Sequence, residues 1–275
     1  MNRHARSLAW SAAGFLIVAY TLFPVLWIVS LSFKKGADVH NRAFFPTEWS
    51  WENYKTVFAS DLFTTALRNS LGISLTATVL SVALATLAAY AIARLEFKGK
   101  KLVLSMALAI AMFPTISLVP PLFDMWRNLG LYDTWIGLII PYMSFTLPLS
   151  IWTLSAFFRE IPWELEQAAQ IDGATPWQTF RNVIMPLAAP GVFTAAILTF
   201  FFAWNDFVFG ISLSASDAAR PVPAALAFFT GESFFKQPTA AIAAAAVVVT
   251  IPVIPLVLCF QRKVIAGLTF GAVKG

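Results

Sequence analysis

Apolar runs alternate with short charged segments along the whole of this chain. A transmembrane helix needs about 20 predominantly apolar residues, and runs of that kind recur through the 275 residues. The pattern predicts an all-α integral membrane protein with six transmembrane helices. We place these spans at residues 8–33, 69–93, 102–123, 135–158, 190–209 and 239–260.

The first span raises the question of a signal peptide, because two arginines precede it. The apolar region of a signal peptide is about 7–15 residues long and is followed by a small-residue cleavage site. This run is longer and ends in a pair of lysines, so we expect a retained helix. The mixed stretch that follows, at 34–68, is predicted to lie along the membrane interface, where aromatic residues concentrate. Its aromatics include Trp49, Trp51 and Tyr54.

Two spans carry features beyond hydrophobicity. Small residues recur at four-residue steps in the second span, which lets helix backbones approach closely within a bilayer. These residues are Ala77, Ser81, Ala85 and Ala89. Prolines in the third span free backbone carbonyls that neighbours or cavity water must satisfy, so they predict either a kink or a polar interior pathway. They are Pro114, Pro120 and Pro121.

Composition supports the membrane assignment. Hydrophobic residues make up 59% of the chain and charged residues 12%, whereas a typical soluble domain has about 25% charged residues. Such a chain lacks the polar side chains to cover a water-facing surface, so we treat residues 1–275 as one transmembrane domain. The single cysteine, Cys259, excludes an intrachain disulfide.

The net charge of +5 follows the predicted topology. With six spans, one side of the membrane receives the termini, the loop at 94–101 and the segment at 159–181. That side holds eleven of the 19 basic residues and five acidic ones, and the other side holds eight of each. Because cytoplasmic loops carry an excess of Lys and Arg, both termini are predicted to be cytoplasmic in a multi-pass cell-membrane protein. The positive charge therefore does not indicate nucleic-acid binding.

Few residues are available for catalysis. The two histidines, His4 and His40, lie outside the spans, and the chain contains no G-x-x-x-x-G-K-S/T nucleotide-binding loop. We therefore expect no catalytic residue, metal ligand or cofactor in this chain, which would not be an enzyme by itself. If ATP drives the protein, another chain binds it.

Asp206 is the one acid within a predicted span. An intramembrane acid is a functional hypothesis by default, but a position near the end of the span also suits a structural role, such as capping a helix. Tryptophans such as Trp126 can stack on a sugar ring. The candidate pathway residues are Trp152, Trp204, Asn205 and Asp206. An independent ion- or proton-coupled transporter, which would require Asp206, is the alternative function.

A polar segment at 159–181 separates the fourth and fifth spans. It predicts a helix at 163–171, a turn at Asp172-Gly173, and a second short helix that stops at Pro186. Connections are usually about 4–6 residues long, and a solvated connector does not expose tryptophan and phenylalanine. The segment is therefore predicted to dock against another protein.

The same segment resembles the EAA loop of ABC importer permeases, whose pattern is E-A-A, three residues, Gly, nine residues, Ile, one residue, Leu-Pro. This chain matches it closely with Ala168-Ala169, Gly173, Ile184 and Met185-Pro186. It departs from the pattern at Gln167, where the family has Glu, and at Met185, where it has Leu. Further residues are similar to sugar-importer permeases of the maltose (MalG) type, and most of all to those of mycobacterial trehalose importers. They are 22–24, Asn69-Ser70, 95–97, 159–163, 204–206 and 267–275.

The resemblance implies a type I ABC importer permease fold and a function. The chain would be a permease subunit of an ATP-driven, binding-protein-dependent importer of a sugar, such as trehalose or a maltose-like glucoside. The implied partners are a second permease subunit in a heterodimer, two ATPase subunits that bind ATP and Mg²⁺, and an extracytoplasmic sugar-binding protein or lipoprotein.

The resemblance also assigns residues. A cytoplasmic coupling loop at 159–188 would be seated on an ATPase subunit, with Gln167, Ala168, Ala169 and Gly173 in the contact. The residues assigned to coupling are Glu164, Glu166, Gln167, Ala168, Ala169, Asp172, Gly173 and Phe180. A cytoplasmic tail at 261–275 would reach the ATPase subunits through Thr269, Val273, Lys274 and Gly275. The outer loop at 212–236 corresponds in position to the loop that contacts the sugar-binding protein, or it covers the mouth of the bundle.

Overall fold

The computed structural model describes residues 3–229 and 238–258, with side chains from residue 10. Every regular element in these ranges is helical. A 3-10 turn at Gly36–His40 and a π segment at Phe180–Ile184 supplement twelve α-helices. The α-helices are α1 (Arg3–Ser32), α2 (Glu52–Ala59), α3 (Asp61–Arg94), α4 (Lys100–Ala111), α5 (Thr115–Leu129), α6 (Trp135–Glu160), α7 (Glu164–Ile171), α8 (Pro176–Thr179), α9 (Met185–Asn205), α10 (Val208–Leu213), α11 (Val222–Phe228) and α12 (Thr239–Thr250).

The chain forms two compact units, Met1–Thr64 with Leu226–Pro252, and Thr65–Ala225 with Val253–Gly275. In the first unit α12 packs against both α1 and α2. Buried Lys34 stabilises the loop after α1, because its Nζ donates hydrogen bonds to the carbonyls of Asn41 and Ala43 at 3.0 and 2.6 Å. The predicted interfacial aromatics cluster around Phe33 in this unit, at ring distances of 5.0–5.3 Å, and are Trp49, Trp51 and Tyr54.

The second unit contains two apolar cores. One lies at the ends of α3 and α6 where α10 packs, and includes Trp126, Tyr142 and Phe209. The other joins the opposite ends of α3 and α6 to the start of α9, and includes Phe158 and Phe180. The small residues of α3 are fully buried, which confirms the close helix packing predicted from their spacing. They are Ala77, Ser81, Ala85 and Ala89.

Five described helices are long and apolar enough to span a membrane, at Trp10–Ser32, Asp61–Arg94, Trp135–Glu160, Pro176–Asn205 and Thr239–Leu258. The predicted third span differs from these. It consists of α4 and α5, which meet at a bend of 90°, because Pro114 lacks the N–H that would continue the hydrogen-bond ladder and becomes the N-cap of α5. The pair gives a sixth span only if both halves belong to one crossing.

Two predicted span boundaries differ from those of the structure. The second span begins earlier than residue 69, because α3 starts at Asp61. Within the predicted loop at 212–236, α10 extends to Leu213 and α11 forms at Val222–Phe228. The fifth span ends at Asn205 rather than at residue 209. The tail at 261–275, with its candidate residues Thr269, Val273, Lys274 and Gly275, lies outside the described residues.

Candidate functional site

The segment between α6 and α9 folds into the predicted helix–turn–helix. α7 carries Glu164 and Glu166 in its first turn, where negative charges interact favourably with the helix dipole. Gly173 follows at φ +83°, a conformation that side chains with a Cβ rarely adopt. Thr175 then starts α8 with a capping box, in which its hydroxyl accepts from the Gln178 N–H and the Gln178 side chain accepts from the Thr175 N–H.

One side of this segment is an exposed surface with large apolar residues. Ile171 is 86% exposed and Trp177 is 60% exposed, and Leu165 is also exposed. The predicted contact residues on this side are Glu164, Gln167, Ala168, Asp172 and Gly173, all of them exposed. Space around Gly173 is open, because an added Cβ would meet nothing within 4 Å. Such a surface suits contact with another protein.

The other residues assigned to the coupling loop are buried in the structure. Glu166 is 2% exposed, and Ala169 and Phe180 are also buried. Phe180 packs on Tyr90 of α3 at a ring distance of 4.8 Å. Direct contact of these three residues with a partner does not fit this burial, because helical periodicity turns them inward while their neighbours face outward. Their part in coupling stays a prediction.

Glu166 has a partner within the chain. Arg94, the last residue of α3, places its Nε 2.8 Å from Glu166 Oε1, and the two side chains are 7% and 3% exposed. This ion pair lacks good hydrogen-bond geometry between those two atoms. Arg94 Nη2 donates to the Ile161 carbonyl at 2.6 Å, and the guanidinium lies 5.3 Å from the Trp163 ring centroid. Tyr90 donates to Glu166 Oε2 at 3.3 Å.

The second short helix was predicted to stop at Pro186, and this prediction was wrong. α8 continues through the π segment at Phe180–Ile184 into α9, and the combined apolar helix Pro176–Asn205 is 30 residues long. In the π segment the Met185 N–H bonds to the Phe180 carbonyl, five residues back. This widened turn shifts the hydrogen-bond register just before Pro186, so a residue without an N–H is tolerated at the first turn of α9. α8 is therefore continuous with a helix that is long and apolar enough to span a membrane.

The candidate pathway residues do not share one environment. Trp204 is 2% exposed and stacks on Phe200 at 5.3 Å. Trp126 is also buried, and its Nε1 donates to the Gly137 carbonyl at 2.6 Å. This burial does not favour stacking of either ring on a sugar, and a place for these residues in the pathway stays a prediction. Trp152 is 52% exposed and stays a candidate.

Asp206 has structural partners. Its Oδ2 accepts a hydrogen bond from the Tyr142 hydroxyl at 3.0 Å. It also accepts one at 3.0 Å from the N–H of Gly210, which lies in α10. These contacts match the capping role that the sequence suggested. Exposed Asn205 donates to the Phe201 carbonyl of its own helix at 2.9 Å. Among the residues that the structure describes, no group of three or more His, Cys, Asp or Glu side chains is placed to hold a metal ion.

The loop between α10 and α11 is attached to the helices beside it. Buried Asn69 donates to the carbonyls of Asp217 and Arg220, and Ser70 accepts from the Val222 N–H at 2.7 Å. Asp133 accepts from the N–H groups of residues 215 and 216 at 2.9 and 3.1 Å. The Asn69-Ser70 pair was noted from the sequence only as part of a resemblance, and Asp133, Tyr90 and Arg94 were missed. No local motif signals these residues, because their partners lie far away in sequence.

Residues 81–266 match the family model for the binding-protein-dependent transport system inner membrane component. This chain belongs to that family. The match covers the end of α3 from residue 81, the α7–α8 segment and all of α9. Membership confirms a multi-pass membrane protein related to ABC importer permeases, and it confirms the resemblance on which the coupling loop was assigned.

Individual relatives agree with the family. The chain is 57% identical to the trehalose transport system permease protein SugB of Mycobacterium tuberculosis, over 98% of both chains. It is 38% identical to the trehalose/maltose transport system permease protein MalG of Thermococcus litoralis, over 94% of each. The fold is similar to a chain of a bacterial ABC transporter that imports alginate, with a TM-score of 0.81, 25% identity, and coverage of 95% of this chain and 98% of that one.

Proposed function

We propose that this chain is a transmembrane permease subunit of an ATP-driven, binding-protein-dependent sugar importer, coupled to an ATPase subunit through the α7–α8 segment. The observation that carries the proposal is this segment itself. It presents exposed apolar side chains such as Ile171 and Trp177, and it is continuous through the π segment with the spanning helix α9. A partner that moves it would therefore move a helix inside the membrane.

The proposed substrate is a disaccharide, with trehalose as the first candidate and a maltose-like glucoside as the second. The support is similarity to the trehalose and trehalose/maltose permeases of Mycobacterium tuberculosis and Thermococcus litoralis. The proposed partners are a second permease subunit, two ATPase subunits and an extracytoplasmic sugar-binding protein. ATP and Mg²⁺ would bind to the ATPase subunits, so this chain would carry no catalytic residue.

The proposed topology has six spans, with α4 and α5 together forming the third. Both termini and the α7–α8 segment are cytoplasmic, and the loop between α10 and α11 faces the binding protein. The distribution of basic residues supports this orientation. The alternative of an independent proton-coupled transporter lacks comparable support, because Asp206 already bonds to Tyr142 and Gly210.

The test compares two glycine substitutions in the assembled importer. Gly173→Arg places a long cation in the proposed ATPase contact. Gly99→Arg is the matched control, because Gly99 also has positive φ, +89°, and open space around it, but lies in the loop before α4. Both changes force a Cβ into a left-handed conformation, at a cost of about 1–2 kcal/mol. The two variants differ only in the surface on which the arginine side chain is placed.

We expect Gly173→Arg to insert in the membrane normally, to reduce co-purification of the ATPase subunits and to lower uptake of labelled trehalose at least about tenfold, the effect of about 1.4 kcal/mol of lost contact energy. Gly99→Arg is expected to retain normal co-purification of the ATPase subunits and normal uptake of labelled trehalose. Equal uptake in the two variants and the wild type would contradict the assignment of the contact surface.

A further inference from the structure

We propose that Arg94 is a positioning residue that fixes α7 to the end of α3, so that a displacement of α7 is passed to a second membrane helix besides α9. This inference rests on the proposed function. It adds a residue outside the coupling loop to the coupling apparatus, and it gives Glu166 a role within the chain in place of contact with the ATPase.

The geometry of Arg94 carries the argument. Its guanidinium holds α7 and the residues before it at three points, namely the carboxylate of Glu166, the carbonyl of Ile161 and the ring of Trp163. Backbone, charge and aromatic contacts from one planar group restrict both translation and rotation of the helix start. A lysine has a single point charge in place of this planar fork and cannot make all three contacts.

Burial makes the connection stiff. With side chains only 7% and 3% exposed, separation of Arg94 from Glu166 would leave two charges without compensation in an environment of low dielectric constant, which is strongly unfavourable. Tyr90, one turn earlier on α3, holds the second carboxylate oxygen of Glu166 at 3.3 Å and packs its ring on Phe180. α7 and the end of α3 are therefore expected to move as one body.

The contact surface and this connection use different residues. Gln167, Ala168 and Gly173 are exposed, whereas Glu166 and the Arg94 side chain are buried. A change at Arg94 can therefore interrupt transmission without altering the side chains that a partner touches. A purely structural role for Arg94 would instead lower the amount of folded protein and leave coupling intact in the molecules that do fold.

The experiment uses the complete importer in proteoliposomes, with the ATPase subunits, the second permease and the binding protein. The variants are Arg94→Gln, Arg94→Lys and the double change Arg94→Gln with Glu166→Gln. The double change removes both buried charges, so it restores folding if an unpaired charge is the only defect of the single change. Lys98→Gln is the matched control, because Lys98 is an exposed cation four residues from Arg94. Co-purification of ATPase, ATP hydrolysis and trehalose uptake are measured for each.

We expect Arg94→Gln to retain co-purified ATPase while trehalose uptake per ATP hydrolysed falls at least about fivefold, with Arg94→Lys intermediate and Lys98→Gln at the wild-type value. The double variant is expected to recover folded yield and stay uncoupled. Wild-type coupling in Arg94→Gln or in the double variant would overturn the inference, as would loss of co-purified ATPase in Arg94→Gln. Failure of the wild-type chain to bind any ATPase would instead refute the proposed function.

Discussion

Replacing Asn69 by alanine should release the loop at 214–221 from α3. The Asn69 side chain is fully buried, and its Nδ2 donates to the carbonyls of Asp217 and Arg220 at 2.8 and 3.1 Å. Its Oδ1 accepts from Trp135 Nε1 at 3.1 Å. Trp135 Nε1 keeps an alternative acceptor, the Ala218 carbonyl at 3.2 Å, but the substitution removes the side-chain donor from both loop carbonyls.

The magnitude follows from these three bonds. Each contributes about 1 kcal/mol net in a typical protein, and side-chain hydrogen bonds in membrane proteins average about 0.6 kcal/mol. We therefore expect Asn69→Ala to cost about 2 kcal/mol, which lowers the thermal unfolding midpoint by about 4–8 °C for a chain of this size. Asn69→Asp should cost more, because it places a carboxylate opposite two carbonyl oxygens.

The assay is thermal unfolding in detergent together with limited proteolysis of the 214–221 loop. Both Asn69 variants should unfold earlier and be cut faster in that loop. Asn205→Ala is the control, because Asn205 is exposed and bonds to a carbonyl of its own helix. Midpoints within about 1 °C of the wild type for both Asn69 variants, well below the shift expected for a chain of this size, would refute the claim that this side chain anchors the loop.

Three further predictions concern other parts of the chain. Asp206→Asn should keep trehalose uptake within about twofold of the wild type, because an amide oxygen still accepts from Tyr142 and Gly210, and an uptake defect that varied with the proton gradient would favour the ion-coupled alternative. Phe180→Ala should lower stability by about 3–5 kcal/mol through the cavity it leaves, as measured by denaturant unfolding of the purified chain, and unchanged stability would contradict its place in the core. In a Cys259→Ser background, an impermeant thiol reagent added to intact cells should label Ala218→Cys and leave Lys98→Cys unlabelled, and the reverse pattern would contradict the proposed orientation.

The sequence allowed prediction of those features that depend on local pattern. Five long apolar helices, the helix–turn–helix at 164–179 and the close packing of α3 all follow from periodicity, caps and small-residue spacing. The resemblance to a known loop assigned contact residues to α7, and of these Gln167 and Ala168 are exposed. Each of these features is determined by residues within a few turns of one another, so the order of residues along the chain is enough to predict it.

The features that the sequence did not predict depend on contacts between residues far apart in the chain. Glu166 was assigned to the contact surface, whereas its partner Arg94 lies on α3, far earlier in the chain. The passage of a helix through Pro186 depends on which hydrogen-bond register the packed chain adopts. Trp204 was a candidate for sugar stacking because of its aromatic ring, whereas its packing against Phe200 depends on the fold.

The central claim is that ATP hydrolysis on a partner drives sugar movement through this chain. The most direct measurement is trehalose uptake into proteoliposomes that contain the chain with or without its ATPase subunits, with either ATP or an imposed proton gradient as the energy source. We predict uptake only with the ATPase subunits, ATP and the binding protein together. Trehalose accumulation by the chain without ATPase subunits, driven by the proton gradient, would contradict the claim.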